Sequence, residues 1–187
     1  MPRQLASRRR EPACVRRLQE EIRASHVNPR RLGVDYSGMG NARYRVSKEE
    51  AYLDKAIDRY PPEVAATARA GLKKLRARFP GARQLVYERL RSLPIGFAPA
   101  ERGGTVFSLV LYPRWVRFFF LEGVAIDDPE GRLEGTGNVV RSIRVDGRAE
   151  ILDDPYIRGL MAQALKVADA DLKTGSCQVV LRSTITK

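Results

Sequence analysis

The 187-residue chain has one histidine, two cysteines, one tryptophan and no long apolar run. Each scarcity excludes something. Cys14 and Cys177 stand near opposite ends of the chain and form neither a C-x-x-C pair nor a disulfide framework. That usage fits a reducing, cytoplasmic compartment. One histidine and two isolated cysteines supply too few ligands for a structural zinc site. A Ser-His-Asp or Cys-His device would have to use His26, which lies where apolar periodicity is weakest. The mostly apolar stretches at 106–112 and 116–121 fall far short of the roughly 20 residues of a membrane span. No membrane partner is expected. Arg8-Arg9-Arg10 is followed by no apolar segment, so a secretory signal is not expected either.

What the chain does have is basic charge, with 34 Lys and Arg against 22 Asp and Glu. Residues 1–45 hold 11 basic and 4 acidic side chains, and are interrupted by Pro2, Pro12, Pro29, Gly33, Gly38 and Gly40. They read as a basic, disordered N-terminal arm. Such an arm could associate with nucleic acid by neutralising phosphates, although Tyr36 and Tyr44 alone make no stacking platform. Met39 offers an alternative start, which would make residues 1–38 read-through of upstream sequence. The ordered domain is expected at 46–187.

Within it, Ser47-Lys48-Glu49-Glu50 has the form of a capping box. The helix that follows places Leu53, Ala56, Ile57 and Tyr60 on one face. Pro61-Pro62 ends it and starts a second helix with the stripe Val64, Ala68, Leu72, Leu75 and Phe79. A short helical piece is expected over Ala82–Arg89. Period-two segments then predict strands at Leu93–Ala98, Thr105–Tyr112, Trp115–Leu121 and Asn138–Val145, with a tight turn at Pro113-Arg114. Asp153-Asp154-Pro155 caps a last helix, and Cys177–Ile185 closes the chain as a strand. The predicted fold is α+β: a helical hairpin and a C-terminal helix packed on an antiparallel sheet of about five strands.

Several runs carry a family resemblance. They are Ile95–Arg102, Leu111-Tyr112-Pro113-Arg114-Trp115-Val116, Phe119–Gly123 and Leu133-Glu134-Gly135-Thr136-Gly137 through Arg141. The double-aspartate helix start and Val179–Ser183 fit as well. Together they resemble the YdhG-like family, catalogued as domain of unknown function 1801, over about residues 48–187. The resemblance implies a helix pair on an antiparallel sheet and a loose kinship with frataxin-like iron chaperones. It implies no catalytic residues. The chain departs from the family pattern at Glu88-Arg89-Leu90-Arg91, where an acidic-polar-aromatic stretch would be expected.

Two residue groups are candidate sites. Tyr87, Glu88, Trp115 and Arg117 could line a ligand pocket between sheet and helices, with the polar members pairing an anionic group. Alternatively, Glu88 is a surface partner of Arg91 and Trp115 packs on its hairpin. Glu50, Asp54 and Asp58 share one helix face at i, i+4 and i+8, and carboxylates suit iron or magnesium. The alternative is a solvated amphipathic face, because Lys48, Lys55 and Arg59 intervene. Gly135-Thr136-Gly137 lacks the strand–loop–helix context of a phosphate cradle and reads as a loop. No nucleophile–base pair is recognisable.

These features predict a small non-enzymatic binding module for a small ligand, metal or protein partner, with no cofactor. The rivals are a nucleic-acid-associated protein acting through residues 1–45, and an enzyme with its site between sheet and helices. Residues 46–187 expressed alone should unfold in one cooperative transition in denaturant. Failure of that fragment to fold would place the boundary elsewhere.

Overall fold

The structure is a computed structural model describing residues 47–100, 103–175 and 177–182. The basic arm, the expected boundary at 46 and the alternative start at Met39 lie outside the described residues. The elements are α1 (Lys48–Ile57), α2 (Pro62–Arg78), β1 (Arg83–Tyr87), β2 (Leu93–Ala98), β3 (Phe107–Leu111), β4 (Val116–Phe120), β5 (Arg141–Val145), α3 (Pro155–Val167) and β6 (Gln178–Arg182). One-turn 3-10 helices occupy Gly123–Ala125 and Glu150–Asp153. The class is α+β: among the described residues, three α-helices with a six-stranded sheet in the order β5-β4-β3-β2-β1-β6.

The helix ends follow their sequence signals. Ser47 Oγ accepts from the Glu50 amide at 3.1 Å and caps α1. The Glu50 carboxylate turns instead to Arg76, at 3.1 Å. Asp154 caps α3 by accepting from the Tyr156 and Ile157 amides, with Pro155 in the first turn.

The segment Arg83–Tyr87, expected as part of a short helix, is instead strand β1. Its five residues are too few to repay helix nucleation. As a strand it forms two ladders, antiparallel to β2 and parallel to β6. This strand raises the sheet from about five strands to six, and its pairing with β6 makes the sheet mixed rather than purely antiparallel. The strand expected from Asn138 begins only at Arg141. Before it, the Val139 carbonyl is taken by the Val124 amide outside the ladder, at 2.9 Å. The closing strand spans Gln178–Arg182, and residues 183–187 lie outside the described residues.

Strand alternation divides the sheet into two unlike faces. One carries Val86, Ile95, Phe97, Phe107, Leu109, Phe118, Phe120 and Ile143, which join Leu72 and Leu75 of α2 and Ile157 and Leu160 of α3 in a single buried core. Gly71 lets α2 come close, since a Cβ there would meet Leu109 Cδ2 at 3.3 Å. Phe107 sits at the centre. It stacks on Phe79 at 5.2 Å and on Phe118 at 5.3 Å, and meets Phe120 edge-on at 5.7 Å. Leu85, Ala98 and Val110 point the other way; they are buried but stand apart from this core.

Phe107→Ala should therefore cost about 3–5 kcal/mol, the usual range for emptying a fully buried aromatic position. A denaturant midpoint series checks this. A loss below about 1 kcal/mol would contradict the central place given to this ring.

Candidate functional site: a cleft beneath the β1–β2 hairpin

Two turns meet at one edge of the helix layer. One joins α1 to α2 and contains Arg59, Tyr60 and Pro61. The other joins β1 to β2 and is tightened by an Arg89 amide bond to the Ser92 carbonyl at 3.1 Å. Between them lies an open cleft of about 780 Å³. That volume falls within the range of about 300–1,000 Å³ typical of small-molecule sites. Ala56, Tyr60, Pro61, Leu93 and Pro113 give it apolar walls. Its charged lining is Arg59, Arg89 and Arg91 against one carboxylate, Glu88. Leu90, at the tip of the hairpin, is 98% exposed.

Glu88 is already held. Tyr52 Oη donates to one carboxylate oxygen and Arg59 to the other. The Tyr52 hydrogen bond, joined by the bond and charge of Arg59, outweighs partial burial and keeps the Glu88 carboxyl below its ordinary range. The same bond pushes the Tyr52 phenol up. Burial pushes Tyr60 up as well. Tyr52 and Tyr60 are therefore neutral hydroxyls, and Glu88 is a carboxylate, at neutral pH. A general acid or base works best with a pKa near the operating pH, and all three of these shifts run away from it. The chemistry of the cleft is recognition by fixed charges and hydroxyls.

Of the four residues expected to line a pocket, only Glu88 is in this cleft. Its partner is Arg59, not Arg91. Tyr87, one position earlier, points to the opposite sheet face, as alternation requires. Trp115 lies at the β3–β4 hairpin and is 38% exposed, 6.1 Å from Tyr112 and under the Arg144 guanidinium at 5.9 Å. Arg117, on β4, donates to Ser142 Oγ at 3.1 Å and to Glu134 at 2.6 Å. Strands β2 and β3 lie between β1 and β4, so the four do not converge. Sequence reasoning missed Tyr52, Arg59, Tyr60, Arg89 and Arg91 as lining or supporting residues. The two hairpin arginines were visible as the departure from the family pattern. Nothing local marked Tyr52 or Arg59, because only tertiary packing brings α1 beside the end of β1.

The three carboxylates at helical spacing each face an arginine. Glu50 pairs with Arg76, and Asp54 and Asp58 share Arg69 at 3.9 and 2.6 Å. Among the described residues no three His, Cys, Asp or Glu side chains are grouped so as to hold a metal ion. Gly135-Thr136-Gly137 lies in an exposed loop before β5, with no helix after it. Asp128 accepts from Tyr156 Oη at 2.6 Å and from the Leu133 amide at 2.7 Å, and ties that loop to α3.

Comparison with protein-family models, with curated proteins and with solved structures finds no match for this chain.

Removing the Tyr52 hydroxyl tests the cleft geometry. In Tyr52→Phe the Glu88 pKa should rise toward its ordinary value, read by carboxyl carbon NMR. A depressed folded pKa stabilises the fold above the unfolded pKa, and that contribution disappears as pH falls through the folded value. The wild type should therefore exceed the variant in stability at neutral pH by a small margin that closes on acidification. The margin is small because the Glu88 side chain is 39% exposed and screened by solvent. An unchanged Glu88 titration would show that the hydrogen bond does not form.

Proposed function

We propose that this chain is a YdhG-like, cytoplasmic, non-enzymatic domain that binds a small anionic ligand with an apolar body in the cleft beneath the β1–β2 hairpin. The observation that carries the reading is the charge balance of the lining: three guanidinium groups face one carboxylate, and that carboxylate is already engaged by Arg59 and Tyr52. Arg89 and Arg91 have no carboxylate within ion-pair distance among the described residues. They can meet a phosphate or carboxylate in the geometry that guanidinium favours. Tyr60, Pro61 and Leu93 offer the apolar wall for the rest of the ligand.

The YdhG-like reading is supported by the quoted sequence runs and by a helix pair packed on one face of a sheet. The departure Glu88-Arg89-Leu90-Arg91 forms the lip of the cleft, so the ligand preference would be particular to this chain. The iron association of the resemblance is not carried over, because Arg69 and Arg76 stand beside the three carboxylates that would ligate the metal.

Phenyl phosphate is a suitable probe, since it joins an anion to a flat apolar ring. Titrated into the full chain and followed by amide NMR, it should give saturable shifts at Arg59–Pro61 and Glu88–Leu93. Arg91→Glu should weaken it on the order of tenfold, about 1.4 kcal/mol. Benzyl alcohol, which has the ring without the charge, should bind more weakly still. Shifts scattered over the surface, or indifferent to Arg91→Glu, would refute the proposal.

A further inference from the structure

The face of the sheet turned away from the helices combines basic and aromatic side chains in a way the cleft does not use. All three helices contribute to the core on the opposite face, and no described helix covers this one. Tyr87 of β1 is paired with Arg182 of β6. Pro94, Val110, Arg117 and Arg144 continue the same face across β2 to β5, with Val110 buried beneath its larger neighbours. The row spans six strands, about 24 Å at the usual strand spacing. Phe119 lies on the same face, and Tyr112 and Trp115 extend it at the β3–β4 hairpin. Tyr87 and Trp115 are three strand spacings across and two residues along the sheet from each other, about 16 Å.

The charge on this face is unbalanced. Arg117 and Arg144 are met by Glu134 and Asp146. Arg83 donates to the uncharged Pro99 carbonyl, at 2.9 Å. Among the described residues neither Arg83, Arg182 nor Arg114 has a carboxylate within ion-pair distance. Among the described residues four guanidinium groups, of Arg83, Arg117, Arg144 and Arg182, thus stand on this face against two carboxylates, with Arg114 in the adjoining turn, and they are interleaved with four partly exposed aromatic rings. A polyanion whose repeating units also carry flat rings complements that pattern. A duplex hides its rings, whereas a single strand presents them to aromatic side chains while its phosphates meet arginines.

We propose that the helix-free face of the sheet binds single-stranded nucleic acid, with Tyr87, Phe119 and Trp115 stacking on bases and Arg83 and Arg182 meeting phosphates. The site shares no residue with the cleft or with residues 1–45, and its success or failure is independent of the cleft proposal.

Trp115 is the only tryptophan in the chain, which gives the test its readout. A labelled single-stranded 12-mer of thymidine is titrated into the full-length protein. Anisotropy reports binding anywhere, and Trp115 fluorescence reports contact at this face. Saturable quenching of Trp115 with the same midpoint as the anisotropy change is expected. Tyr87→Ala should weaken binding on the order of tenfold. Arg182→Ala, at an exposed edge, keeps the test independent of any folding defect in Tyr87→Ala and should also weaken it. A blunt 12-base-pair duplex should bind without quenching. The proposal is overturned by no binding, which would leave a protein partner for this face. Binding without quenching that ignores both substitutions overturns it too, and would place the nucleic acid elsewhere on the chain.

Discussion

The stacking of Phe79 on Phe107 ties the end of α2 to the central strands of the sheet, and much of the architecture follows from it. Phe107 is fully buried and has Phe118 and Phe120 as further ring neighbours, so its position leaves little room for α2 to shift. Once α2 is fixed there, α1 must return along the same face, because only four residues join the two helices. The turn between them then overhangs the β1–β2 hairpin and creates the cleft. The same constraint leaves the opposite face of the sheet without a helix among the described residues. Both surfaces proposed for binding are consequences of a one-sided core.

Charge pairing then decides which cations remain available. Arginines on α2 answer the acids of α1, through Arg69 with Asp54 and Asp58 and Arg76 with Glu50. Lys74 and Arg78 both reach Asp153. Arg76 also donates twice to the buried Gln84, which satisfies the one polar side chain of β1 that faces the helices. Exposed pairs of this kind contribute little stability individually. Their effect is selective. Four of the five basic side chains of helix α2, all but Lys73, are answered in this way. Among the described residues, guanidinium groups without a carboxylate partner remain at the lip of the cleft and on the helix-free sheet face, as they do at Arg141, Arg148 and Arg158.

Much of this was legible from the residues alone. Ser47, Pro61-Pro62 and Asp154-Pro155 marked helix starts that the structure keeps. The Leu93–Ala98 strand and the turn at Pro113-Arg114 were marked by period and by proline. Strand β1 was not, because Arg83–Tyr87 is short and its parallel partner β6 is almost a hundred residues away. A hairpin announces itself through its turn, but a parallel pair has no local signature. The cleft escaped for the same reason. Tyr52, Arg59 and Glu88 meet only after α1 packs beside the end of β1, and no spacing along the chain encodes that meeting. The residues grouped by sequence as Tyr87, Glu88, Trp115 and Arg117 failed to converge because Glu88 turns into the cleft, and because two strands separate Tyr87 from Trp115 and Arg117 on the face those three share.

The claim beneath both binding surfaces is that, among the described residues, the helices pack on one face of the sheet only, and that the large side chains of the other face reach solvent over its small buried ones. Aromatic side-chain NMR in the presence of a neutral paramagnetic gadolinium chelate measures this directly. The account predicts strong attenuation of the Tyr87, Trp115 and Phe119 ring signals, while those of Phe97, Phe107 and Phe118 survive. Equal protection of the two sets would contradict it.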